Sequence, residues 1–130
     1  MNNPIKIDDL LTVKYTENGR SVEEGFDCYG LAIEVCRRFG HSMPDLEEAR
    51  SEGRDFMACL KKGVELAKVK EIDFPSEPSD VIFFENPQGA TYHIGIYLGD
   101  NLFIHCGKYG VTTGDVRRCK HSIGRCYKWL

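Results

Sequence analysis

The sequence has little of what would make it a membrane-spanning, disulfide-built or nucleic-acid-binding protein. Apolar runs are short, about four residues as in Val81-Ile82-Phe83-Phe84, whereas a bilayer span needs roughly 20. No membrane insertion is therefore expected. Met1 to Leu11 has no basic n-region, apolar stretch or small-residue cleavage site, so synthesis in the cytoplasm without a signal peptide is the expectation. Neither sign of charge dominates. With 17 basic and 20 acidic residues and a net charge of -3, nothing offers a general attraction for phosphate backbones, and nucleic acid is not an expected partner. There is no C-x-x-C, the spacing that most strongly marks a structural zinc site, and no compositional bias toward disorder or coiled coil. What remains is a chain of 130 residues, enough for one core, read as a single domain over 1–130.

Six cysteines stand out against these absences, at 28, 36, 59, 106, 119 and 126. A disulfide framework is disfavoured in a reducing compartment, which leaves core thiols, a metal site or a nucleophile. Apolar residues recur at helical spacing from Cys28 to Phe39 (Leu31, Ala32, Val35, Phe39) and stop at Gly40, with Pro44 beyond. A second helical pattern covers Asp55 to Val69, and a short helical turn fits Asp45 to Arg50. After Ile72 the period changes. Strands are predicted at 80–85, 92–98, 102–106, 111–116 and 123–129, forming an antiparallel meander of about five strands. Helices first and strands second argue an α+β fold.

The segment Tyr92 to Gly107, YHIGIYLGDNLFIHCG, reads as a hairpin through Gly99-Asp100-Asn101. If Ile94, Ile96 and Leu98 share a face with Leu102, Ile104 and Cys106, then His93, Gly95 and Tyr97 share the opposite face with Phe103 and His105. His93 and His105 become diagonal neighbours about 7–8 Å apart, with Gly95 leaving room between them. Histidine exchanges protons near neutral pH, and a base held by a second polar group is half of a catalytic site.

Cys28 supplies a candidate for the other half. It stands where the helix begins, with Asp27 as a plausible cap, where unpaired amides and the helix dipole favour a thiolate and could hold an oxyanion. By position alone a small buried residue is an equal reading. Cys36 and Cys59 lie among apolar neighbours and read as core thiols. The set His105, Cys106, Cys119, His121 and Cys126 is a rival metal-ligand group, with inert thiols favoured at Cys119 and Cys126. His41 and His121 read as solvent-exposed.

At this point the chain resembles the NlpC/P60 cysteine peptidases, which have a papain-like α+β fold. GFDCYGLAIEVCRRFG resembles the family's D-C-x-G-L block, SDVIFF its G-D-hydrophobic strand, and HIGIYLGDNLFIHC its H-V-G-I-Y-L-G-D-x-x-F-I-H-A block. Gly40-His41-Ser42-Met43-Pro44-Asp45 is similar to a stretch found in the phage-tail branch. The resemblance implies a fold with the nucleophile at a helix N-terminus packed on a C-terminal antiparallel sheet. It also implies a Cys28, His93, His105 catalytic set, with His93 as base, His105 as orienting residue, and Tyr15 beside an oxyanion hole that includes the Cys28 amide. No cofactor or metal is implied. The implied activity is hydrolysis of an amide in peptidoglycan peptides, next to D-glutamate, with a cell-wall peptide or muropeptide as substrate. Phage tail proteins would be partners in that branch, with the chain in a virion tail or released at lysis. An assembly role without hydrolysis and an acyltransferase on another substrate are the alternatives. Three positions depart from the family pattern: Tyr29 stands where serine often follows the cysteine, Ser79 where glycine is usual, and Cys106 where a small residue is usual.

Overall fold

The computed structural model describes residues 5–50, 62–63 and 66–130. A two-stranded ribbon, β1 (Arg20–Ser21) and β2 (Gly25–Phe26), leads into helix α1 (Cys28–Arg38). Six further strands follow: β3 (Val69–Ile72), β4 (Val81–Glu85), β5 (Thr91–Gly99), β6 (Leu102–Gly107), β7 (Gly110–Asp115) and β8 (Ile123–Trp129). Short 3-10 turns occupy Glu47–Ala49, Val116–Arg118 and Lys120–Ser122.

Both ends of α1 are fixed by local chemistry. Asp27 is the N-cap, in extended conformation, and its side chain accepts from the Gly30 amide at 2.7 Å. At the other end Gly40 takes φ 93°, its amide donates to the Arg37 carbonyl, and the His41 amide reaches back to the Cys36 carbonyl at 2.8 Å. That pair of bonds is a Schellman closure, which needs a left-handed residue at Gly40. Leu31, Ala32, Val35 and Cys36 are buried, and α1 packs on β5 and β6, where Ile94, Ile96 and Ile104 meet it. Each such aliphatic side chain contributes roughly 1.5–3 kcal/mol on burial.

The sheet is antiparallel with order β3-β8-β4-β5-β6-β7. It therefore departs from the expected five-strand meander in two ways. The first is β3, an extra edge strand whose Lys70 and Glu71 are exposed. Four residues with two charges carry little strand signal, and charge on an edge is how sheets avoid unwanted pairing. Val69 belongs to this strand and not to the second helix, of which only 62–63 and 66–67 fall among the described residues and are helical. The second departure is β8, which does not extend the meander beyond β7 but inserts between β3 and β4. The connection to it packs Val116 and Cys119 against a second cluster with Ile82, Phe84, Tyr97 and Phe103. Both sheet faces are thus covered, and β4 is buried through Phe84.

The β5–β6 register is the one the apolar pattern predicts, with Ile96 opposite Ile104 and Tyr97 opposite Phe103. The loop differs in detail. Gly99 pairs with Leu102 around a two-residue Asp100-Asn101 turn, both residues at positive φ, and a bulge between Tyr97 and Gly99 absorbs the third residue.

Ser79 explains one departure from the family pattern. Its φ is 83°, a conformation in which a Cβ is strained, while its amide and carbonyl are held by Tyr97 and Trp129. Asp80 behind it is a buried turn residue that accepts from the amides of Ser76 and Glu77, each at 2.9 Å. Ser79→Gly is expected to raise stability by about 0.5–1 kcal/mol. Thermal denaturation would check this, and a lower midpoint would sink it.

Candidate active site

The two histidines meet as the diagonal register requires: His93 Nε2 lies 2.8 Å from His105 Nδ1, with the rings edge to face at 5.0 Å. Both lie beyond the last β5–β6 ladder pair at Ile96 and Ile104, toward the strand ends. Phe84 and Phe103 wall the pair, with ring centroids 5.5 Å from His93 and 4.9 Å from His105 respectively. Gly95 makes this wall possible. A Cβ there would stand 3.1 Å from Phe103 and 3.3 Å from Phe84, so the space it leaves is taken up by these two rings.

Burial first, and the neighbouring His105 second, lower the pKa of His93 to about 4; burial also lowers that of His105. His93 is thus held neutral at pH 7. Between the ordinary value of 6.5 and about 4, the unfolded chain binds a proton that the folded protein refuses. Stability attributable to His93 is fully present above 6.5 and falls by up to about 3 kcal/mol as pH drops through that window. Melting measured at pH 7.5 and 4.5 should show a smaller drop in His93→Gln than in wild type. Equal drops would refute the assignment.

Cys28 is the first residue of α1 and lines a cavity of about 380 Å³ together with Tyr15, Tyr92, His93, Cys106 and the Gly107-Lys108 turn. Three of the four site residues expected from sequence, Cys28, His93 and Tyr15, therefore face one space, and His105 adjoins it through His93. Tyr15 reaches its place through a parallel bridge with Phe26 at the end of the ribbon. Cys106 is buried, and its thiol lies 3.2 Å from the Phe26 carbonyl. Burial, followed by the charges of Cys28 and Asp27, pushes the Cys106 thiol up to about 12. Burial also raises Cys36 and Cys126 to about 12 and Cys119 above its ordinary value. Cys59 lies outside the described residues.

The alternative metal set is not assembled. Among the described residues no group of three His, Cys, Asp or Glu could hold an ion. Cys106 belongs to the core beneath α1, whereas Cys119 and Cys126 pack in the second cluster. His121 is exposed as expected, but His41 is not simply solvent-exposed: it stacks on Trp129 at 4.7 Å with the rings nearly parallel. Tyr29 does not line the cavity either. It is buried, and its hydroxyl donates to the Pro44 carbonyl at 2.7 Å.

A further layer lies behind Cys28, of which the sequence pointed only to Asp27 as a cap. Asp27 is fully buried and accepts from Gly30 N (2.7 Å), Arg20 Nη1 (2.8 Å) and Asn18 N (3.1 Å). Arg20 also donates through Nε to Asp45 at 3.1 Å and through Nη1 to the Gly19 carbonyl at 2.8 Å. The ribbon can approach this closely only because residue 30 is glycine; a Cβ there would stand 2.0 Å from the Gly19 carbonyl oxygen. A glycine in the first turn of a helix was the available sign of such an approach. Arg20 itself carried no local signal, because its partners at 27 and 45 are gathered only by the fold.

A dipeptidyl-peptidase of Bacillus subtilis (strain 168), named gamma-D-glutamyl-L-lysine dipeptidyl-peptidase, is 33% identical over 88 residues, covering 66% of this chain and 25% of that protein. The "Probable peptidoglycan endopeptidase LytE" of the same organism is 33% identical over 98 residues, 75% of this chain and 25% of the relative. The chain spans between a fifth and a quarter of the length of the curated relatives it matches. Among solved structures, the NlpC/p60 domain of peptidoglycan hydrolase SagA shares the fold with a TM-score of 0.64 at 20% identity, covering 98% of this chain and 99% of that one. The P60 domain of an M. avium subspecies paratuberculosis antigen matches with a TM-score of 0.62 at 20% identity, covering 95% and 88%. A model of the NlpC/P60 family matches residues 12–123, and the chain, with a helix-borne cysteine and a histidine pair on its sheet, belongs to the NlpC/P60 family.

Proposed function

We propose that this chain is a cysteine endopeptidase that hydrolyses an amide bond in peptidoglycan peptides through a Cys28 acyl-enzyme. The observation that carries the reading is one cavity lined by Cys28 and His93, with His93 held from behind by His105. Peptidoglycan as substrate is supported by the name of the LytE relative, and a bond next to D-glutamate by the name of the Bacillus subtilis dipeptidyl-peptidase.

The histidine bond is compatible with the protonation states the reaction needs. Nε2 of His93 is engaged with His105, so Nδ1 is the nitrogen left to serve Cys28. For Nδ1 to accept a proton, neutral His93 must carry its hydrogen on Nε2 and donate it to Nδ1 of His105, which then carries its own on Nε2. Attack of the Cys28 sulfur on the carbonyl carbon passes the thiol proton to His93 Nδ1, and the imidazolium keeps its Nε2 bond to His105. The carbonyl oxygen, now negative, is held by the Cys28 amide at the start of α1, with Tyr15 at its side. Collapse breaks the C–N bond, and the departing amine takes the proton from His93. Water, deprotonated by the now neutral His93, then attacks the thioester, and the acid product leaves as Cys28 recovers its proton.

Incubation with defined muropeptides, read by mass spectrometry, tests the reading. Cleavage on the carboxyl side of the glutamyl residue is expected, with loss of turnover after one equivalent of iodoacetamide has been taken up at Cys28. Intact muropeptides beside a Cys28 no more reactive than the other thiols would refute it.

A further inference from the structure

The cavity at Cys28 is unevenly charged. Among the described residues that line it, Lys108 alone is formally charged at neutral pH and none is a carboxylate. Lys108 is exposed and, among the described residues, enters no ion pair; the ring of Tyr109 lies close to it, with the ammonium 5.1 Å from the centroid. An exposed cation over a tyrosine face is held weakly, so the ammonium can leave it for a better ligand. The backbone that carries Lys108 is fixed. Gly107 pairs with Gly110 around the Lys108-Tyr109 turn. Gly110 takes φ 102° and lies so near the Val13 carbonyl that a Cβ would stand 2.6 Å from its oxygen. Two bonds, Thr12 N to Val111 O and Val111 N to Val13 O, tie the next residue to the same segment. The helix adds to the asymmetry, since its positive end opens at Cys28. The nearby negative charge of Asp27 is withdrawn from solvent and paired with Arg20.

From this one-signed rim we infer that Lys108 recognises an anion beside the reacting thiol, and that the substrate presents a free carboxylate there. The carboxylate's place in a substrate rests on the peptidase reading; the anion preference of the cleft does not. A γ-linked glutamyl residue fits the chemistry, because its side chain forms the scissile amide and its α-carboxylate stays free. An α-carboxamide in its place would be nearly the same shape without the charge. Lys108 would thus read whether the glutamyl residue is amidated.

Two measurements test this, one of them independent of any substrate. Iodoacetate and iodoacetamide alkylate the same sulfur and differ mainly in charge. The ratio of their rates at Cys28, followed by peptide mass, should fall about 3–5-fold in Lys108→Met, hold in Lys108→Arg, and narrow toward the variant's value at high salt. An unchanged ratio in Lys108→Met overturns the inference. The second measurement compares peptides carrying the glutamyl α-carboxylate or the α-carboxamide. Wild type should favour the carboxylate through KM, and Lys108→Met should lose that preference with the change falling on KM; equal KM values in wild type overturn the substrate half of the inference. If neither peptide is cleaved while the alkylation ratio still falls, the peptidase reading fails and the anion site stands.

Discussion

His93→Gln is expected to lower kcat on a cleaved muropeptide by at least about 10³-fold, close to the effect of Cys28→Ala, while KM changes little. Glutamine preserves a polar side chain of similar reach but cannot take the thiol proton or return it to the leaving amine. On the proposed reading nucleophile and base act as one unit, so the double variant should be no slower than the worse single one. In the proposed mechanism His105 acts through the 2.8 Å bond to His93, so His105→Ala should cost less, about 10²-fold, and leave Cys28 alkylation detectable. The acid limb of kcat/KM in wild type should lie near the lowered value of about 4 for His93, with activity lost as pH falls through it. Steady-state kinetics of the four variants decide the matter. A His93→Gln enzyme within tenfold of wild type would remove His93 from the base role.

The second large effect is on stability. Arg20→Met is expected to cost about 3 kcal/mol, lowering the melting midpoint by about 10 °C. Asp27 has no exposed surface, and Arg20 is a charged group bonded to it among the described residues, beside the amides of Asn18 and Gly30. Removing one partner of a buried pair strands the other, which is costlier than removing both. Arg20→Met with Asp27→Asn should thus be less destabilised than the sum of the single changes, since asparagine still caps α1 without needing a counter-ion. Calorimetry of the three variants measures this directly. Additive midpoint shifts, or a loss below about 3 °C in Arg20→Met, would mean that the pair contributes little.

These two cases mark where the sequence was sufficient and where it was not. The histidine pair was legible because strand side chains alternate strictly, so the apolar faces of β5 and β6 fix their register, and with it the side of the sheet on which His93 and His105 stand. The helix behind Cys28 was legible because its cap, its period and its closing glycine are all local. Those features, and the family resemblance of the three blocks, came from the order of residues alone. Tertiary structure decided what depends on contacts distant in sequence. It inserted β8 between β3 and β4, which no local pattern encodes because strand order is a matter of which edges meet. It brought Arg20 to Asp27 and Asp45, joining three segments through one guanidinium. It also set Lys108, alone in formal charge among the described lining residues, on the rim of the Cys28 cavity, a property of the assembled surface that a count of 17 basic and 20 acidic residues could not reveal.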